Sequence, residues 1–283
     1  MSIAEKLTTI VENEQKVYEA GKQSMQPQIS ELETEVEELK TLSINPNWTT
    51  WSYFSSNNNR NGLVSKLKYT DTSKGTDFSN MYYRCNDLKS APEIDTSNGT
   101  NFYNMYYQCM SLSEIPTMNT SNGANFSGMF YGCIKVKTFP VIDTSNGTNF
   151  SSMYAQCYIM ETAPEIDTSN GTNFSSMFIY CRELVTIPKI NISKTTNTTV
   201  SMFNTETKKL ENIIFEGTIP KSLDMRYCTL LTHDSLMSAI NALYDYSADT
   251  SGTTYTLTIG KTNIAKLTTE ELNIAESKGW VIA

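Results

Sequence analysis

Residues 95–118 read Asp-Thr-Ser-Asn-Gly-Thr-Asn-Phe-Tyr-Asn-Met-Tyr-Tyr-Gln-Cys-Met-Ser-Leu-Ser-Glu-Ile-Pro-Thr-Met, and this 24-residue phrase recurs without insertion or deletion between Asp71 and Ile190. Its copies begin at Asp71, Asp95, Asn119, Asp143 and Asp167. The same register aligns Gly75, Gly99, Gly123, Gly147 and Gly171; Phe78, Phe102, Phe126, Phe150 and Phe174; and Met81, Met105, Met129, Met153 and Met177. Each copy closes on a cysteine (Cys85, Cys109, Cys133, Cys157, Cys181) and a proline (Pro92, Pro116, Pro140, Pro164, Pro188). One such unit cannot bury its own apolar face, so a fixed period of this length predicts stacked copies that share a core with their neighbours.

Within one copy, Asp95, Ser97 and Asn98-Gly99 are turn chemistry, the glycine being expected to supply a positive φ. Phe102, Met105, Tyr106, Cys109 and Leu112 follow at spacings of three and four, which predicts one face of a short helix turned to the core. The segment from Leu112 through Ile115 to Met118 is too short for another helix, and Pro116 lacks the amide that regular pairing needs, so a short strand or extended rung is expected. Stacked in parallel at about 4.7–4.9 Å per rung, the phenylalanines, methionines and cysteines each become a buried column.

Phe174–Cys181 and Leu184–Ser193 read Phe-Ser-x-Met-Phe-x-x-Cys and Leu-x-x-Ile-Pro-x-Ile-Asx, with Asn191 replacing aspartate. In these motifs residues 47–230 resemble the BspA-like leucine-rich repeats of bacterial surface and prophage-encoded proteins. The resemblance implies a right-handed solenoid used for adhesion or recognition, with no catalytic motif to carry over. The Lys278-Gly279-Trp280 ending also resembles tails on prophage members of that family.

Outside the regular copies, Phe54, Val64 and Leu67 fall 24 residues before Phe78, Leu88 and Ala91, while Asn57, Asn61 and Lys68 replace Met81, Cys85 and Pro92. Residues 47–70 therefore read as a worn first coil with the polar outer face that a terminal repeat needs. After Asn191 the period drifts, Met202-Phe203 falling one residue late. Residues 232–246 predict an amphipathic helix with Leu236, Ile240 and Leu243 inward, and Thr253–Ile259 a half-buried strand. Thr268–Glu271 reads as a capping box opening a last helix that Gly279 ends. The fold class expected is α/β: a leucine-rich-repeat-like solenoid of 24-residue coils over 44–230 (regular at 71–190), a helical coiled-coil stalk at 1–43 and a small α/β cap at 231–283.

The stalk reading rests on Ile3, Leu7, Ile10 and Val17, then, after an expected break at Gly21–Gln28, on Ile29, Leu32, Val36 and Leu39. Residues 1–43 carry nine glutamates against four lysines, most of the chain's net charge of −8. Such an arm suits homo-oligomerisation and docking on virion tail or baseplate proteins. The acidic balance leaves no nucleic-acid footprint. An amphipathic start in place of a signal peptide, and the lack of an 18-residue apolar run, predict cytoplasmic folding with reduced cysteines and no membrane insertion.

Catalytic groups are scarce. His233 is the single histidine and adjoins Asp234 at a helix start, which fits a capping region better than a general base. The cysteines lack the short Cys-x-x-Cys pairs of a zinc site and read as small core residues. In the column Asp71, Asp95, Asn119, Asp143, Asp167, Asn191 the carboxylate is exchangeable with an amide, which suits turn formation and not calcium. No metal, cofactor or enzymatic activity is expected.

Recognition is expected where copies differ. Tyr83, Tyr107 and Tyr131 give way to Ala155 and Ile179; Arg84, Gln108, Gly132, Gln156 and Tyr180 follow in the next column; Asn86, Met110, Ile134, Tyr158 and Arg182 vary just past the cysteines. Tyr83, Tyr107, Tyr131, Arg84, Gln108, Tyr158 and Tyr180 are the candidate binding residues, because an aromatic row with polar tips suits a host cell-surface glycan or protein. The function expected is non-enzymatic host attachment on a phage or prophage tail, the chain being assembled in the bacterial cytoplasm and carried on the virion. A bacterial cell-surface adhesin is the alternative. A tail-borne polysaccharide depolymerase is a further one, needing two carboxylates about 5–9.5 Å apart, and no pair stands out.

Overall fold

The computed structural model describes residues 72–283 without interruption, together with a set of helical residues between 12 and 34. The chain divides into two compact units, Met1–Pro46 and Asn47–Ala283. In the first, residues 19–21 and 23–27 are helical, and residues 22 and 28 of the break expected at Gly21–Gln28 lie outside the described residues. Ile3, Leu7, Ile10, Val17, Ile29, Leu32, Val36, Leu39, the worn coil at 47–70 and Asp71 lie outside the described residues.

Between Thr72 and Thr186 the second unit is a parallel stack in which each residue lies over the one 24 positions later. Parallel bridges join Asp77 to Asn101, Asn101 to Asn125, Asn125 to Asn149 and Asn149 to Asn173. The polar half of each copy serves this stacking. Thr96 Oγ1 donates to Asn119 O (2.7 Å), Thr120 Oγ1 to Asp143 O (2.6 Å) and Thr144 Oγ1 to Asp167 O (2.7 Å), each reaching into the next coil. Asn122 Nδ2 and Asn146 Nδ2 donate back to Ser97 O and Ser121 O. Asp95, Asn119, Asp143, Asp167 and Asn191 each accept, through Oδ1, the amide two residues on. That is the Asx turn, and it uses the oxygen that aspartate and asparagine share.

The helix expected in each copy does not form. From Phe102 to Gln108 alternate amides, those of Phe102, Asn104, Tyr106 and Gln108, donate to Asn125, Ser127, Met129 and Tyr131 of the following coil. Those amides cannot also make i→i−4 bonds. Met105, Tyr107 and Cys109 instead close successive four-residue turns onto Phe102, Asn104 and Tyr106. The inward set is nonetheless the expected one: Phe102, Met105, Tyr106, Cys109 and Leu112 are fully buried. A chain of turns shares the three-and-four spacing of a helix face, so spacing alone cannot separate the two.

This turn chain needs left-handed backbone at every fourth residue. Asn80, Asn104, Gly128, Ser152 and Ser176 have φ of 54–62°, and so do Arg84, Gln108, Gln156 and Tyr180 (55–61°), with Gly132 at 70°. They occupy the third position of turns whose geometry requires positive φ there. The Asn-Gly glycines, by contrast, are not left-handed. They provide room: a Cβ on Gly123, Gly147 or Gly171 would lie 2.2–2.5 Å from Cζ of the phenylalanine three residues on. Those rings form a stacked column with centroids 5.6–5.8 Å apart.

A second aromatic column runs through Tyr82, Tyr106, Phe130, Tyr154, Phe178 and Phe203. The thiols beside it are bonded across coils, Cys109, Cys133, Cys157 and Cys181 each donating to the carbonyl of Tyr82, Tyr106, Phe130 and Tyr154 respectively at 3.1–3.3 Å. Beyond Asn191, where the period has slipped by two residues at this column, Thr207 takes over and donates to Phe178 O at 2.9 Å. Burial of each Phe or Met contributes about 1.5–3 kcal/mol, and these columns are the core.

The extended rungs pair briefly, at Ser90–Glu114 and Thr162–Thr186. Only β1 (Thr186–Asn191) and β3 (Asn212–Glu216) form a longer parallel pair, with a register shift between Ile187 and Ile190, where Pro188 has no amide to give. The other wall ends in a four-stranded parallel sheet: β2 (Thr199–Val200), β4 (Ser222–Asp224), β5 (Tyr255–Thr258) and β6 (Trp280–Ile282). The C-terminal segment thus continues the stack. Helix α1 (His233–Ala242) closes the edge of β3, Ser235 Oγ and Ser238 Oγ accepting the Ile213 and Phe215 amides. After the short α2 (Gly260–Ile264), which no sequence signal marked, α3 (Thr269–Ser277) opens on the expected Thr268/Glu271 capping box. Lys278 Nζ then donates to the Ile240 and Asn241 carbonyls at the end of α1. β6 is an edge strand with Val281 exposed.

Candidate functional site

The turn chain that buries Tyr106 and Cys109 leaves the intervening residues at the surface, and there the varied columns meet. Tyr83, Tyr107 and Tyr131 are half-buried and stack, with centroids 4.9 and 4.4 Å apart and planes within 16° and 11°. Both faces of the Tyr107 ring are therefore covered, and the row offers ring edges and hydroxyls outward. The rings thus pack on one another along the wall. Each stacked pair is worth about 0.5–1.5 kcal/mol, so the row is part of the structure as well as its surface.

Polar side chains of the left-handed column flank the row. Arg84 places its guanidinium 5.3 Å from the Tyr83 centroid and donates through Nε to Gln108 Oε1 at 2.9 Å. Gln156 Nε2 donates to the Tyr131 hydroxyl at 2.8 Å. Burial and the adjacent Tyr107 push the Tyr131 phenol above its ordinary pKa, with Tyr158 and Tyr180 adding to the effect. The row ends at Ala155, which is wholly buried. Tyr158 lies under the Arg182 guanidinium (4.6 Å), which also pairs with Glu206 (3.3 Å). Tyr180 is 38% exposed, and its amide donates to Asn204 Oδ1. Met110 and Ile159 are exposed.

The structure thus joins Tyr83, Arg84, Tyr107, Gln108 and Tyr131 in one contact network and places Tyr158 and Tyr180 within electrostatic reach of its end. Gln156 is the member the sequence reading passes over. It shares a column with Arg84, Gln108 and Tyr180, and that shared column was the signal for it.

A groove of about 600 Å³ runs along other columns, lined among others by Val141, Asp143, Glu165, Asp167, Lys189 and Glu216. None of the seven candidates lines it. Asp143 and Asp167 are engaged in their Asx turns, and Ser145 holds the Asp143 carboxyl below its ordinary pKa. Lys189 bridges Glu165 (2.8 Å) and Glu216 (3.8 Å). Among the described residues no group of three or more His, Cys, Asp or Glu could hold a metal ion, and no helix is long and apolar enough to cross a membrane. His233 Nε2 lies 2.8 Å from Glu271 Oε1, joining α1 to the cap of α3.

A model of the family described as "Mycoplasma protein of unknown function, DUF285" matches residues 49–140 and 114–215. No curated protein and no solved structure matches the chain. The two family matches overlap, span the whole tyrosine row and its flanking column, and cover more than half of the sequence: the chain belongs to the DUF285 family.

Proposed function

We propose that the chain is a leucine-rich-repeat-like solenoid of the BspA type and acts as a non-enzymatic recognition protein, its tyrosine row binding a glycan or protein on a host cell surface. The observation that carries this reading is the row itself. Three stacked phenols sit on a wall whose backbone is already bonded from coil to coil, so the hydroxyl edge is fixed before a partner arrives. Preorganisation of that kind lowers the ordering entropy of binding. The setting inferred is a phage or prophage tail, with residues 1–43 as the arm that docks on tail or baseplate proteins and on further copies of the chain.

The test is adsorption of labelled protein to intact cells of the bacterium that carries the gene and of its relatives. Replacing Tyr83, Tyr107 and Tyr131 together by phenylalanine keeps the stack and removes the hydroxyls; replacing them by alanine removes both. Adsorption is expected to fall in the first variant and vanish in the second. An alanine variant that remains folded and adsorbs like the parent contradicts the reading. Proteomics of purified virions and of bacterial surface fractions decides the setting, since detection only on the cell surface would replace the tail by an adhesin.

A further inference from the structure

The turn chain imposes left-handed backbone on two columns, and the residues found there differ in kind. The first, Asn80, Asn104, Gly128, Ser152 and Ser176, holds glycine, asparagine and serine, small residues of which glycine and asparagine visit this region most readily. The second, Arg84, Gln108, Gly132, Gln156 and Tyr180, holds long side chains at φ of 55–61°, where any Cβ residue meets its own backbone. Glycine is compatible with the second column, because Gly132 occupies it at φ 70° with the same amide bond to the following coil, Gly132 N to Ala155 O at 2.8 Å. Folding alone therefore favours glycine at the neighbouring positions, yet they carry two amides and a phenol as well as the arginine.

What these side chains do is flank the tyrosine row. Gln156 holds the Tyr131 hydroxyl, Gln108 receives the Arg84 bond, and Tyr180 presents an exposed ring near Tyr131. Such bonds at the surface contribute little to stability, since water competes for both partners. They fix orientation.

We propose that the second left-handed column determines specificity: Gln108, Gln156 and Tyr180 are kept against the preference of the backbone because they contact the ligand bound at the tyrosine row, with Gln156 also positioning Tyr131. The proposal rests on the reading of that row as the binding surface. Two amides and a phenol both donate and accept without charge, so the ligand groups these three select are uncharged hydroxyls or amides, while Arg84 of the same column adds a cation at the Tyr83 end of the row.

The test compares Gln108→Gly, Gln156→Gly and Tyr180→Gly with the parent in thermal melting and in adsorption to the same intact cells. Relieving a left-handed side chain is expected to raise the melting temperature by about 2–4 °C per site, while adsorption drops at least tenfold for Gln156→Gly and measurably for the other two. A side chain kept for structure gives the opposite pattern, with melting lowered and adsorption following it, and that result overturns the proposal. Glycine variants that melt higher and adsorb like the parent, while the alanine variant of the tyrosine row has lost adsorption, also overturn it and leave the binding surface standing. Undiminished adsorption by the alanine variant removes both.

Discussion

Gly147→Ala adds one methyl group, and the structure fixes where that methyl goes. Its position would be 2.5 Å from Phe150 Cζ, 2.9 Å from Thr144 O and 3.1 Å from Phe126 Cε2. Thr144 O cannot retreat easily, because it accepts the Gly147 amide at 2.7 Å. The Phe150 ring cannot slide either, held between Phe126 at 5.8 Å and Phe174 at 5.7 Å. Overpacking of this kind costs about 1–3 kcal/mol, against about 0.4–1 kcal/mol gained by stiffening the unfolded chain. The net is a loss of about 1–2 kcal/mol, roughly 2–8 °C in melting temperature for a unit of this size. Urea denaturation should show a lower midpoint at unchanged slope. A double-mutant cycle with Phe150→Leu isolates the clash, and a coupling of at least about 0.5 kcal/mol is expected. An alanine variant as stable as the parent, or more stable, would refute the claim that these glycines make room for the phenylalanine column.

Three further outcomes follow from the same packing. The Tyr154 hydroxyl is buried and finds no hydrogen-bond partner among the described residues, while its column neighbours are Phe130 and Phe178; Tyr154→Phe should stabilise by about 1–3 kcal/mol, and a lower urea midpoint would reveal a partner for that hydroxyl. Burial pushes the Cys133, Cys181 and Cys228 thiols from an ordinary value of 9.0 up to about 12. The folded state therefore keeps protons that the unfolded state releases, so their contribution is intact below pH 9 and lost as pH rises to about 12, at about 1.4 kcal/mol per pH unit for each thiol. Denaturation midpoints that stay flat over that interval would show the thiols to be accessible. Deleting residues 1–43 should leave a chain of residues 44–283, which keeps the compact unit Asn47–Ala283 whole, folded and monomeric by light scattering, and retention of the parent's stoichiometry would place the interface on that unit.

The buried columns were legible because stacking repeats one environment in every copy, so Phe102, Met105 and Cys109 announced themselves five times over. Element type was not legible in the same way. The turn chain and a helix both bring every third or fourth residue inward, and what separates them is the destination of the Asn104 and Gln108 amides, a contact with a coil that sequence spacing does not display. The glycine of Asn-Gly was visible as a requirement, but its reason, the ring of the phenylalanine three residues on lying where a Cβ would go, belongs to side-chain packing that the turn signal does not display. The tyrosine row was visible as variation, whereas its stacking was not: side-chain order outside the core depends on the rung distance and on the size of the neighbouring residue, which is why the row stops at Ala155. The edge of β3 shows a similar limit. Its closure by Ser235 and Ser238 depends on how α1 docks, which two serines in an amphipathic pattern do not foretell.

Covalent footprinting tests the account most directly, with tyrosine nitration and hydroxyl-radical oxidation read by mass spectrometry on protein free and bound to intact cells. Protection is expected at Tyr83, Tyr107, Tyr131 and Tyr180, with the groove around Val141 and the C-terminal tyrosines Tyr244 and Tyr246 labelled equally in both states. Protection confined to the groove or to the C-terminal tyrosines, with the row labelled as fully as in free protein, would contradict the claim that this chain recognises its partner through the stacked phenols.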